Sequence, residues 1–279
     1  MEKSDLVHSA GHYNANYENF QTDLYAQIRR EAFGEDIGQN SWLTAAEQDH
    51  FLGWLELFPG KCLLDVACGA GGPLLRIVSE TGCSAVGIDV HDHAIETAIL
   101  LRAERGLTEL VEFRAVNAIG RLPFSDAIFD AITCIDAINH FPDRQQVIAD
   151  WARLLKPGGR LLFTDPITLT GPLTNVEIAC RSSAGFYLLV PRGYDECVLA
   201  QCGLKVLVCE DATANMANVA EARQMARESK SVPLRKIESD QAYENQQEFL
   251  AVAARVAREG RLSRFVYVSE KPCRVSALR

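Results

Sequence analysis

From position 61 onward the chain alternates two patterns: short apolar runs, and stretches in which apolar residues recur every three or four positions. The first reads as buried strand and the second as amphipathic helix. Strands are predicted at 61–66, 84–89 and 111–115, with helices at 73–80 and 93–105 between them. A-I-T-C-I-D-A-I-N-H-F-P-D gives a fourth strand and the loop at its carboxyl end, and a helix follows at 145–155. L-K-P-G-G-R-L-L-F-T-D-P reads as that helix closing on Gly158 and Gly159 and a fifth strand beginning. Further on, helices are expected at 175–187 and 193–202, a strand at 204–209, mainly helix from 214 to 259 with a break at Pro233, and a last strand at 262–269. Such alternation argues for a parallel sheet with right-handed crossovers. The first sixty residues differ. Positions 20–32 and 44–58 carry helical periodicity, Thr44 with Glu47 suggests a capping box, and a loop ending in Trp42 separates the two.

The most informative local feature is L-L-D-V-A-C-G-A-G-G-P, from Leu63 to Pro73. An apolar strand breaks there into a glycine-rich turn, and Pro73 suits the first turn of the next helix. The second strand, S-A-V-G-I-D-V, carries Asp89 twenty positions after Gly69. In nucleotide-binding α/β folds an acid at that place holds ribose hydroxyls, so an adenosine-containing ligand is expected. The dinucleotide pattern G-x-G-x-x-G fails because Leu74 stands at the third glycine, which disfavours a nicotinamide dehydrogenase. A phosphate-binding P-loop fails as well, since no Gly-Lys-Ser/Thr follows.

The same run resembles motif I of the class I S-adenosylmethionine (SAM) methyltransferases, D-x-G-x-G-x-G: Asp65, Gly69 and Gly71 match, and Ala67 replaces the first glycine. A small residue there suits the turn if its φ stays negative. Matches continue in the family's order through F-R-A-V-N-A, L-P-F-S-D-A-I-F-D and the segment from Leu155 to Pro166. The layout is similar to small-molecule methyltransferases of the sarcosine and dimethylglycine type, on D-A-I-N-H-F-P-D, on T-D-P, and on the run from Gly185 to Leu204. The resemblance implies a Rossmann-like α/β sheet of seven strands with a helical N-terminal lead-in and helical cap insertions. Residues 1–60 would form the lead-in or lid, and 61–279 the methyltransferase domain, with insertions at about 167–192 and 214–259.

It also implies the site. Asp65 and the backbone at Ala67, Gly69 and Gly71 would hold the methionine part of SAM; Asp89 the ribose; Val90 would lie against adenine, with Asn117 or Ala118 at its edge; Cys134 and Ile135 would supply backbone at the amino acid end. Asp65 has a second reading, as a purely structural acceptor for the turn's amides. His140, after the fourth strand, is the catalytic candidate, orienting or deprotonating the acceptor; a loop histidine tied to backbone is the alternative. Asp136 would meet a cationic group or cap the loop. The expected reaction is methyl transfer to a small molecule, an amine nitrogen preferred slightly over oxygen or carbon, with a non-catalytic SAM-binding protein as the alternative from another class.

Composition narrows the partners. A net charge of −9 argues against a nucleic-acid backbone, while 48% hydrophobic and 23% charged residues are ordinary for a soluble chain of this length. The chain begins M-E-K-S-D-L-V-H-S with no apolar leader, no run approaches a membrane span, and nine scattered cysteines suit reduced thiols. A cytoplasmic protein without membrane partner is expected; the oligomeric state is not legible. No metal is expected: His91-x-His93 reads as polarity at a helix start, and Cys197 and Cys202 do not have zinc-site spacing. Cys180 reads as a buried core cysteine, with a reactive thiol as the alternative. Arg181 and Arg192 would grip a substrate carboxylate or be solvated, and Tyr13, Tyr17 and Trp42 would form an aromatic lid or ordinary packing.

Overall fold

The computed structural model describes residues 19–183 and 185–273. In chain order its elements are α1 (Asp23–Phe33), α2 (Ala45–Leu55), β1 (Cys62–Val66), α3 (Gly72–Thr81), β2 (Ser84–Asp89), α4 (Asp92–Glu104), β3 (Val111–Ala115) and β4 (Phe129–Cys134). A 3-10 turn (Ile138–His140) leads into α5 (Arg144–Leu154), β5 (Leu155–Leu169), α6 (Asn175–Arg181), β6 (Val190–Pro191), α7 (Tyr194–Gln201) and β7 (Lys205–Asp211). Three helices follow, α8 (Thr213–Glu228), α9 (Ser231–Glu238) and α10 (Asp240–Arg258), before β8 (Leu262–Glu270). The sheet order is β3-β2-β1-β4-β5-β8-β7, with β6 pairing on β5. β8 runs antiparallel to both β5 and β7, while the pairs from β3 to β5 are parallel. The expected seven-stranded sheet is therefore present, with the two-residue β6 as an eighth strand that sequence did not reveal.

Both sheet faces are covered, as parallel strands require. On one face Leu63, Ala85 and Ala131 pack with Leu74, Leu75 and Val78 of α3 and with Phe51 and Leu55 of α2. On the other, Leu64, Ile88 and Ile132 meet Val147, Ile148 and Trp151 of α5 and Leu199 of α7. The lead-in thus shares the main core through α2, whereas α1 joins a separate apolar cluster with α8 and α10 that includes Trp42.

Four expectations are corrected. The helix before β5 ends at Leu154, and Gly158 and Gly159 lie within the strand: the Gly158 amide donates to the Lys271 carbonyl at 2.7 Å, so its partner is across the sheet. Helix 175–187 stops at Arg181, because the backbone beyond it bonds elsewhere; the Leu188 amide donates to Asn139 and its carbonyl accepts from Arg144. Pro233 sits in the first turn of α9, where its missing N–H costs nothing, and the break falls before it. Ala67 has φ of +58°, not negative, so the turn holds an alanine in the left-handed region at a strain of roughly 1 kcal/mol.

Gly72 is a close-approach glycine. A Cβ there would lie 2.1 Å from the Ile37 carbonyl oxygen and 2.7 Å from Gly38 Cα, both backbone atoms. Only hydrogen lets the lead-in settle against the start of α3. Gly72→Ala is expected to destabilise the fold by about 1–3 kcal/mol, read by urea unfolding, because the lead-in must move outward.

Candidate functional site

The loops after β1, β2, β3 and β4 meet at the carboxyl edge of the sheet, where open α/β folds place ligands. They line a cavity of about 270 Å³. The β1 loop is folded by its own hydrogen bonds: the Cys68 amide donates to the Ile88 carbonyl, and the Gly69 amide donates to Asp89 Oδ2 at 2.9 Å. Asp89 Oδ1 accepts from the His91 amide at 3.0 Å, so the carboxylate ties the ends of β1 and β2 together at the cavity wall. Burial raises the Asp89 pKa above its ordinary value against the pull of those amides. Asp65, beneath the turn, accepts from the Thr133 hydroxyl at 2.7 Å. Burial pushes it up to about 7, the Thr133 bond opposing and the charge of Asp89 adding.

Of the candidates from sequence, Asp65, Ala67, Gly69, Asp89, Val90, Asn117, Ala118, Ile135, Asp136 and His140 line this cavity. Gly71 and Cys134 do not. Gly71 precedes α3 with its Cα turned to Phe113, whose ring would lie 2.5 Å from an added Cβ, and Cys134 is fully buried in the sheet core. The side-chain carbonyl of Asn117 is engaged locally, accepting from the Ile119 amide at 3.0 Å. Tyr13 and Tyr17 lie outside the described residues. Arg192 stacks over Phe265 at 3.8 Å and lies near Glu196, away from the cavity. Sequence reasoning missed His91 and Phe141, together with Gly38, Asn40 and Ser41 of the lead-in and Phe186 of the first insertion. His91 alone carried a signal, two positions after Asp89.

Asp136 and His140 sit where β4 ends. The Asp136 carboxylate accepts from the Trp42 amide (2.8 Å), from the Thr164 hydroxyl (2.7 Å) and from Arg264 Nε (2.7 Å). Arg264 also donates to Glu47 at 2.6 Å, and Asn215 bonds both Glu47 and the Trp42 carbonyl. Glu47 is therefore drawn away from completing the capping box, although Thr44 still caps α2. Burial works against the Arg264 charge, but the two carboxylates outweigh it and hold the guanidinium above its usual pKa; Glu47 is raised, burial prevailing over its partner. His140 Nδ1 lies 3.1 Å from the Phe186 carbonyl and so carries the proton, and Tyr187 meets the ring edge-on at 4.7 Å. Burial lowers the His140 pKa from 6.5 to about 4, which makes it neutral and weakly basic at pH 7.

Two opposed pH effects follow. Between about pH 4 and 6.5 the unfolded chain binds a proton at His140 that the folded chain does not, so this residue's contribution rises with pH. Asp65 does the reverse: its raised pKa gives stability that is lost as pH climbs from 3.8 towards 7. In His140→Asn the rising limb disappears. The stability difference between wild type and variant should grow between pH 4 and 6.5 by up to about 3 kcal/mol, read by urea unfolding at several pH values.

A second chamber of about 140 Å³ adjoins the first, and the two share Asn40, Ser41, Asp136 and His140 in their walls. Its other walls come from Trp42, from the first insertion (Arg181, Tyr187) and from α8 and α10 (Arg223, Asn245, Phe249). Trp42 stacks on Phe249 at 6.3 Å with 11° between the rings. Arg144, itself fully buried, pairs with Asp165 at 2.7 Å and Asp195 at 2.8 Å and holds the Leu188 carbonyl, which fixes the segment carrying Phe186 and Tyr187. Among the described residues no helix is long and apolar enough to cross a membrane, and no cluster of three metal-ligating side chains occurs.

Residues 64–163 match the family of methyltransferase domains. The whole fold overlays a cyclopropane synthase from Mycobacterium tuberculosis with a TM-score of 0.80 at 20% identity, covering 94% of this chain and 98% of that one. It overlays a protein from Galdieria sulphuraria, assigned as a sarcosine dimethylglycine methyltransferase, with a TM-score of 0.72 at 20% identity over 81% and 83% of the two chains. In sequence it is 30% identical over 159 residues to 27-O-demethylrifamycin SV methyltransferase of Amycolatopsis mediterranei, 54% of this chain and 58% of that one. It is 32% identical over 151 residues to a sterol 24-C-methyltransferase of Gibberella zeae, 51% of this chain and 38% of that one. The chain thus spans about half the length of the curated relatives it matches. The family match is confined to residues 64–163, and the overlays show that the chain shares the fold of these proteins.

Proposed function

We propose that the protein transfers a methyl group from SAM to a small-molecule acceptor. The observation that carries this reading is the β1 turn closed onto Asp89 at the wall of a cavity reached by all four strand-end loops. The cavity's lining offers groups for each part of an adenosine-bearing amino acid. Asp89 would hold the ribose hydroxyls, Val90, Asn117 and Ala118 would flank adenine, and Asp65 with Ala67, Gly69 and Ile135 would receive the methionine end. When bound, SAM supplies a methyl group already made electrophilic by the sulfonium. The protein's own work is alignment and exclusion of water, done by the shared wall of His140 and Asp136 and by the lead-in residues Asn40 and Ser41 acting as lid.

His140 serves better to orient than to deprotonate. A base with a pKa of about 4 removes a proton from a hydroxyl poorly, whereas a neutral amine already offers its lone pair. An amine nitrogen is therefore our preferred acceptor, with oxygen and carbon as alternatives; the two sequence relatives given above are named for an oxygen and a carbon acceptor. Asp136, occupied by three donors, acts by positioning Trp42 and the β4 loop. All nine cysteines are free, in keeping with a reducing, cytoplasmic setting.

The test is methyl transfer from tritiated SAM across a panel of small amines, alcohols and activated carbon acids. An amine product, with kcat reduced roughly tenfold or more in His140→Ala, would support the reading. Full turnover in His140→Ala would remove that role. SAM bound tightly with no product from any acceptor class would favour a non-catalytic binding protein.

A further inference from the structure

We propose that the second chamber receives the methyl acceptor and that Asn139 selects it, its side-chain carbonyl taking a hydrogen bond from a hydroxyl or N–H group of that molecule. This rests on the reading of the first cavity as the SAM site. Asn139 lines the chamber and is only 1% exposed, yet among the described residues no donor reaches its Oδ1. Buried polar side chains nearly always have a hydrogen-bond partner, so an orphaned carbonyl in a cavity wall points to a donor that arrives with the ligand. The residue is also held in place. It lies in the 3-10 turn between Ile138 and His140, and its backbone carbonyl accepts from the Leu188 amide at 2.8 Å. Arg144 in turn donates to the Leu188 carbonyl at 2.8 Å. The backbone that carries the orphaned oxygen is thus ordered before any ligand enters, which lowers the entropic cost of binding one.

The rest of the wall decides what can carry that donor. Asp136 already accepts from Trp42, Thr164 and Arg264, so the chamber's acid is engaged and Asn139 supplies a vacant acceptor. Trp42 and Phe249, stacked at 6.3 Å, form a flat apolar side against which a ring or chain can lie. Ser183 and Asn245 are exposed and mark the open side, which leaves Asn139 at the closed one. His140, the next residue, belongs to the walls of both cavities, so the recognised group enters beside the cofactor's chamber. Size adds a limit. The chamber of about 140 Å³ has the volume of roughly five liquid waters, so it suits one small ring or a short chain. The acceptor's class is a small, largely apolar molecule bearing a hydroxyl or N–H group. An analogue with a methyl group in place of that hydrogen is disfavoured, because it leaves the Asn139 carbonyl unpaired and adds bulk at the closed side.

The experiment titrates the full chain, with and without saturating S-adenosylhomocysteine, using phenol, aniline, anisole and N,N-dimethylaniline as probes in a calorimeter. Phenol should bind about tenfold more tightly than anisole, or aniline than N,N-dimethylaniline, and the pair with the larger ratio identifies the donor as hydroxyl or N–H. In Asn139→Leu that preference should disappear through weaker binding of the donor probe, while its methylated counterpart binds as before. If Asn139→Leu folds poorly, Asn139→Ala and the wild-type comparison of each donor with its methylated counterpart carry the test. Equal binding within both pairs, or a preference unmoved in the folded Asn139 variant, would overturn the proposal. S-adenosylhomocysteine binding without any donor preference would do so while leaving the cofactor reading intact. An Asn139-dependent donor preference in a protein that fails to take S-adenosylhomocysteine would overturn the cofactor reading and leave the chamber's assignment standing.

Discussion

In Asp89→Ala the affinity for S-adenosylhomocysteine falls by about a hundredfold or more, while the protein stays folded. The carboxylate already spans two amides, Gly69 at 2.9 Å and His91 at 3.0 Å, which leaves it fixed in place at the cavity wall. Hydrogen bonds from the two ribose hydroxyls to a charged acceptor contribute about 1.5–3 kcal/mol each, so their joint loss is at least about 3 kcal/mol, or some two orders of magnitude. Loss of the two amide contacts should cost stability as well, about 1–2 kcal/mol. Calorimetric titration with a parallel urea curve separates the two effects. An unchanged dissociation constant in a folded variant would mean that the ribose is held elsewhere.

Arg264→Met should destabilise the protein by about 3–5 kcal/mol, because Asp136 and Glu47 remain buried after losing the cation between them. The triad joins α2, the Trp42 loop, the end of β4 and β8, so its loss also frees the lead-in from the cavity. Removing both carboxylates together with the arginine should recover much of the stability, since the desolvation of unpaired charge is then gone. Acid should help the single variant as well. Burial already raises the Glu47 pKa, and without its cation the penalty of its charge is present above that pKa and fades as pH falls and the carboxyl protonates. Urea unfolding at pH 5 and pH 8 reads this directly. A variant equally stable at both, and close to wild type, would show that the triad contributes little.

These two residues also mark what the sequence could and could not disclose. Asp89 was legible because its meaning is local: an apolar strand, a glycine turn and an acid at fixed spacing reflect short-range backbone geometry. The parallel half of the sheet was legible for the same reason. Arg264 was not, because nothing near it in sequence signals a partner 128 positions away. The same holds for Arg223 and Phe249, which read as ordinary helix positions until α8 and α10 fold over Trp42. Gly38, Asn40 and Ser41 looked like loop composition, and their place in the wall depends on the contact between Gly72 and the lead-in. Phe186 was hidden by helical periodicity that tertiary hydrogen bonds to Asn139 and Arg144 overrode. Ala67 shows a local limit too. The turn takes a positive φ despite its methyl group, since the glycine loop and both strands dictate the path there.

The most direct measurement is calorimetric titration of the wild-type chain with SAM, S-adenosylhomocysteine and NAD under identical conditions. Saturable one-to-one binding of SAM and S-adenosylhomocysteine, with none for NAD, is the expected result; at a hundred times the dissociation constant the native state would gain about 2.7 kcal/mol. Binding of NAD alone, or of none of the three, would contradict the assignment of the β1 turn and Asp89 to a methyl-donor site.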